Sequence, residues 1–135
     1  MNNDKTPTIN GTHDAGLTMN DYQNAAMRTA MYPSPFMMIA EGKSVRVPWV
    51  YPALKLAGET GEVAEKLGKV IRDQHGVMTD DQRVQLKLEL GDVLWYIAAL
   101  ARELGWTLDE VAEANINKLT SRAARGVIQG SGDNQ

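Results

Sequence analysis

Apolar and polar positions along this 135-residue chain follow a helical period almost throughout. From Thr18, the positions Met19, Tyr22, Ala26 and Ala30 recur at near-helical steps. They predict a first helix that stops before Pro33, a residue that helix interiors reject. Pro33-Ser34-Pro35 then breaks the pattern, and a long connection with Gly42 and Pro48 runs to about Val50. A second helix is expected from Pro52, suited to a first turn, to about Gln74, before Gly76. Thr79 with Gln82 forms a capping box that opens a third helix. Its apolar positions are Leu86, Leu90, Val93, Ile97, Leu100 and Leu104, and Gly105 is placed to end it. Thr107 with Glu110 repeats the start signal for a fourth helix, running through Val111, Asn115 and Leu119 to about Ala124. The alternating segment Val45-Arg46-Val47 is too short and too close to Pro48 to read as a strand. The expected fold is all-α, a four-helix core bundle.

The pattern also sets boundaries. Residues 1–16 are polar without an apolar period, and are expected to form a disordered arm. Residues 17–125 form the helical domain, and 126–135 a tail whose glycines Gly126, Gly130 and Gly132 oppose helix. At 43% hydrophobic and 23% charged, the chain suits one core and not two. No apolar run approaches the roughly 18 residues of a membrane span, and the start lacks a secretory signal.

Charge and composition narrow the chemistry. A formal charge of −3 argues against stable nucleic-acid binding, which favours a basic face. With no cysteine there is no disulfide, zinc-thiolate site, iron–sulfur cluster or thiol nucleophile. This is compatible with a reducing cytoplasm, the expected location. Two histidines, His13 and His75, cannot make a His-rich metal site. Carboxylates must carry the chemistry.

Two matched motifs supply them: Glu59-Thr60-Gly61-Glu62 before Val63, and Glu89-Leu90-Gly91-Asp92 before Val93. At about 100° per residue, Glu59 lies near −40° and Glu62 near −100° from the stripe centred on Val63. Glu89 and Asp92 take the same angles from Val93, roughly −40° and −100°. Packing through these stripes would bring four carboxylates to one edge of the bundle. Clustered carboxylates repel one another and resist burial, and hard Mg²⁺ or Mn²⁺ ions resolve the conflict with oxygen ligands. The alternative is an ordinary solvated face, with Glu62 paired to Lys66 at i,i+4. A di-iron bundle would call for Glu-x-x-His pairs, and these motifs have none. Glu65 points away from the stripe and reads as surface.

On the fourth helix Asn115, Lys118 and Arg122 share one face, two cations and an amide suited to phosphate. A basic last turn favoured by the helix dipole is the simpler reading of the same residues. Tyr96, near −60° on the Asp92 flank, is either a ligand contact or a core tyrosine with a satisfied hydroxyl. Trp49, Arg46 and Gln23 are candidates for base selection, although Trp49 also suits a core. Trp95 falls about 200° from the Val93 stripe. A third helix apolar on both faces is expected to be covered by a second protomer.

In this order these residues resemble the all-α nucleotide pyrophosphohydrolases, specifically the short MazG-like members, over roughly Thr18 to Arg122. Leu56-Ala57-Gly58-Glu59-Thr60-Gly61-Glu62-Val63-Ala64-Glu65 looks like the first half of the family pattern. Glu89-Leu90-Gly91-Asp92-Val93-Leu94-Trp95-Tyr96 looks like the second, and the Asn-x-x-Lys-x-x-x-Arg ending agrees. The resemblance implies that Glu59, Glu62, Glu89 and Asp92 ligate Mg²⁺, for which Mn²⁺ can substitute. Lys118 and Arg122 would hold phosphates and stabilise developing charge, with Asn115 and Tyr96 near the nucleotide. It implies hydrolysis of a nucleoside triphosphate to monophosphate and pyrophosphate by a homodimer or dimer of dimers. The family's leading Glu is Gly58 here, so water activation falls to Glu59, Glu62 or the metal itself. A dUTP-, dCTP- or phosphoribosyl-ATP-selective enzyme could use the same carboxylates, and a non-enzymatic helical regulatory partner remains the alternative outside catalysis.

Overall fold

A computed structural model describes residues 16–32 and 36–126. Most of the expected N-terminal arm and Gly-rich tail, and the Pro33-Ser34-Pro35 break, lie outside the described residues. The element order is α1 (Met19–Met27), β1 (Phe36–Ala40), β2 (Lys43–Val47), α2 (Val50–Gln74), α3 (Asp80–Glu103) and α4 (Leu108–Ala124). The fold is mainly helical, as expected.

Local chemistry sets the helix ends. Thr18, Thr79 and Thr107 each accept a backbone N–H three residues on, while the side chains of Asp21, Gln82 and Glu110 reach back to the cap backbone. All three are complete capping boxes, and each supplies partners for donors that a helix start leaves open. α3 ends in a Schellman arrangement: Gly105 N–H donates to Arg102 O and Trp106 N–H to Ala101 O. Gly105 sits at φ +80, where only glycine is at ease. α1 stops at Met27, well before Pro33. Arg28, Thr29 and Ala30 continue it as a tightened turn, each N–H donating to the carbonyl three residues back. α2 starts at Val50, with Pro52 in its first turn.

The connection after α1 differs from expectation. Phe36–Ala40 and Lys43–Val47 pair antiparallel, with Ala40 opposite Lys43. Val45-Arg46-Val47 is therefore strand. The turn consists of Glu41 (φ 52) and Gly42 (φ 74), and positive φ at both central positions matches the twist of a two-residue hairpin. Burial alternation could not reveal it, because every strand residue except Val47 is exposed.

α2 and α3 form an antiparallel helical hairpin, and α1 and the start of α4 pack on the C-terminal half of α3. Met27, Ala98, Ala99, Ala101 and Leu108 make the core there, with Tyr22, Tyr32, Trp95 and Ile97 against it. The three alanines let neighbouring backbones approach closely. Gln23, buried among them, donates through Nε2 to Ala98 O (3.1 Å) and Trp106 O (3.2 Å), and its Oε1 accepts from Leu108 N–H (3.1 Å). This side chain clamps α1 to the α3–α4 turn. Its polar atoms thus hold the fold together, and the side chain does not line the cavity beside the acids described below.

Trp95 also corrects an expectation. Its indole N–H donates to Ala26 O (3.2 Å) and Thr29 Oγ1 (3.0 Å). Trp95 is thus packed on α1 of the same chain and needs no second protomer to cover it, while Leu88, two turns earlier on the same face of α3, stays 59% exposed.

Candidate metal centre

Glu59 projects from the middle of α2, and Glu89 and Asp92 from consecutive turns of α3. One carboxylate oxygen from each lies within 4.8 Å of the others. Glu59 is 8% exposed, Glu89 is half-buried and Asp92 is exposed, so the cluster opens from the helix interface towards solvent. Glu62, one turn beyond Glu59, is exposed and stands outside this set. The structure thus brings together three of the four carboxylates singled out in the sequence.

Two lysines offset the accumulated charge. Lys55 Nζ lies 2.9 Å from Glu59 Oε1, and Lys66 Nζ crosses between helices to 3.2 Å from Glu89 Oε1. Lys66 therefore serves Glu89, where the sequence had suggested Glu62. The hydrogen bond to Glu59 and its charge raise the Lys55 pKa above the ordinary lysine value. An all-oxygen donor set facing one point, held together by ammonium groups, is chemically suited to a hard divalent cation.

An aromatic wall stands beside the acids. A cavity of about 550 Å³ is lined by Glu59 and Asp92 together with Thr29, Tyr32, Tyr51, Trp95 and Tyr96. Tyr32 stacks on Tyr51 with ring centroids 5.8 Å apart, and meets Trp95 edge-on at 6.3 Å. Trp95 meets Tyr96 edge-on at 4.8 Å, and Lys55 Nζ lies 5.6 Å from the Tyr96 ring centre. Burial is the main reason the Tyr96 hydroxyl is harder to ionise than usual; Lys55 acts in the opposite direction. Burial also raises Tyr22, with the Asp92 charge adding to it. The Tyr32 hydroxyl donates to Glu103 Oε1, and burial with that bond pushes its pKa up to about 12.

Tyr96 is thus at the acids, as the sequence suggested. Asn115 and Lys118 are exposed on α4 and Arg122 is half-buried there; none of the three lines this cavity. Trp49 is 41% exposed at the start of α2, Arg46 is exposed on β2 opposite Met37, and neither lines the cavity. The sequence reading missed Tyr32, Tyr51, Trp95 and Lys55. The i, i+4, i+8 spacing of Tyr51, Lys55 and Glu59 was a usable signal, because it puts them on one helix face.

The chain is thus a helical bundle in which acids from two adjacent helices converge beside an aromatic cavity, a donor set that could hold a metal ion. Comparison with known proteins gives its family. Residues 53–127 match the model of the MazG nucleotide pyrophosphohydrolase domain, and the chain belongs to that family. It is also similar to the Gene 37 protein of Mycobacterium phage L5, at 49% identity over 115 residues, covering 84% of this chain and 96% of the phage protein. No solved structure matches it significantly. Among the described residues, no helix is long and apolar enough to cross a membrane.

Proposed function

We propose that this protein hydrolyses nucleoside or deoxynucleoside triphosphates to the monophosphate and pyrophosphate, with Mg²⁺ as the working cation and Mn²⁺ as a substitute. The observation that carries this reading is the convergence of Glu59, Glu89 and Asp92 within 4.8 Å at the edge of a cavity walled by aromatic rings. Those three residues would hold the cation, which when bound polarises phosphate oxygens and offsets their charge. Lys55 and Lys66 keep the acids together before it arrives and release them to it. Glu62 offers a further carboxylate from the solvent side, able to join the metal set or to accept a proton from the attacking water. Gly58 leaves no other acid at the adjacent position.

Tyr96 and its neighbouring rings offer faces on which a nucleobase can stack. Lys118 and Arg122 are proposed to meet the phosphates, with Asn115 orienting them. A homodimer or dimer of dimers is the proposed working form, supported by apolar side chains left in solvent: Ile39 at 75%, Ile71 at 69% and Leu54 at 65% exposure. A cytoplasmic location is part of the same proposal, supported by the nucleoside triphosphate substrate it invokes. Incubating a panel of ribo- and deoxyribonucleoside triphosphates with Mg²⁺, and measuring monophosphate and pyrophosphate separately, tests the activity and its base preference together.

A further inference from the structure

A second cleft lies away from the acids, where the end of α1 faces the α3–α4 turn. Its volume is about 820 Å³, and Asn24, Met27, Arg28, Arg102, Trp106 and Thr107 line it with no carboxylate among them. Arg28 is the C-cap of α1 and Arg102 lies in the last turn of α3, so each guanidinium extends from a helix end that favours a cation. Among the described residues, neither has an ion-pair partner. Trp106 is 54% exposed, and its backbone is held at the turn. Its main-chain N–H donates to Ala101 O at 2.9 Å and its main-chain carbonyl accepts from buried Gln23 at 3.2 Å. The point from which the indole extends is therefore fixed at the rim of the cleft.

We infer that this cleft is a second, metal-independent binding site for a nucleoside phosphate. Two guanidinium forks suit phosphate oxygens, a half-exposed indole offers a stacking face for a planar base, and the Asn24 amide can both donate to and accept from a base edge. Met27 supplies an apolar floor. The first three N–H groups of α4 are already bonded, Leu108 to Gln23, Asp109 to Asn20 and Glu110 to Thr107. Anion recognition here therefore falls to the arginines, not to the helix end. This inference is independent of the metal centre and of the reaction proposed there.

The test uses the full chain in EDTA, where the acid cluster holds no cation and nothing turns over. AMP is titrated while the Trp106 indole N–H resonance is followed by nuclear magnetic resonance, with assignment from Trp106→Phe. The expected result is a saturable shift of that resonance, absent with adenosine. Apparent affinity should be weaker by roughly tenfold or more in Arg28→Gln/Arg102→Gln, whose thermal midpoint reports an intact fold. Arg28→Gln alone serves if the double variant is unstable. No Trp106 shift at millimolar AMP, an equal shift with adenosine, or unchanged affinity in the folded arginine variant would each overturn the inference.

Discussion

Lys66 reaches from α2 to α3 and sets its Nζ 3.2 Å from Glu89 Oε1, so the acid cluster is partly neutralised before any cation binds. The lysine therefore competes with the cation for Glu89. Lys66→Met should tighten Mn²⁺ binding, measured without nucleotide. Glu59→Gln, Glu89→Gln and Asp92→Asn should each weaken it and abolish most turnover, while the folded state survives because mutual repulsion has been relieved. Glu62→Gln should lower turnover with less effect on the first Mn²⁺, in keeping with its position outside the cluster. Glu65→Gln is the control; its carboxylate pairs with Lys69 at 2.6 Å on the surface, and activity should hold. Full activity in any two of the Glu59, Glu89 and Asp92 variants at saturating Mg²⁺ would refute the site.

Removing Lys118 or Arg122 should affect phosphate and leave metal affinity unchanged or tighter. A charge-assisted contact contributes about 1.5–3 kcal/mol, so Lys118→Ala or Arg122→Ala should lower kcat/KM by roughly ten- to a hundred-fold. Arg122→Lys should recover part of the loss, because a point charge replaces a two-pronged donor. Steady-state kinetics beside nucleotide-free Mn²⁺ titration checks both halves. Unchanged hydrolysis would reduce these residues to a basic helix end.

The helices were legible because their signals are local. Thr79 with Gln82 and Thr107 with Glu110 marked two starts within a few residues of sequence, and Gly105 marked an end. The acid pairs could be placed from helical angles alone, and three of the four acids meet as those angles imply. The hairpin was hidden because Phe36–Ala40 and Lys43–Val47 lack a buried face, leaving no alternation to detect. The aromatic wall was hidden for a different reason. Angles on α3 cannot say that α1 crosses that flank, and it is α1 that turns Trp95 from a supposed contact with another chain into an internal one.

Tyr32 gives the fold an alkaline limit. In the native state its pKa stands at about 12 against an ordinary value of 10.0. From pH 10 upward the unfolded chain gives up the phenolic proton while the native chain keeps it, so the unfolded state binds fewer protons and stability falls with pH. The contribution is whole below pH 10 and gone above about pH 12. Urea unfolding across this window should show a falling midpoint in wild type and a shallower fall in Tyr32→Phe. Identical slopes would contradict the assignment.

Association should be driven by apolar side chains other than Trp95. Ile39→Glu on β1 or Leu54→Glu on α2 should shift the molecule towards monomer, because each now stands at 75% and 65% exposure respectively and gains a charge where a dry contact is proposed. Sedimentation of wild type at micromolar concentration should give a mass above 14.8 kDa. A stable monomer would remove the oligomer from the account.

Product analysis tests the central claim most directly. With purified protein, excess Mg²⁺ and a nucleoside triphosphate, the account requires monophosphate and pyrophosphate in equal amounts, both lost on adding EDTA and both lost in Glu59→Gln. Diphosphate with orthophosphate, or turnover that persists in EDTA, would contradict it.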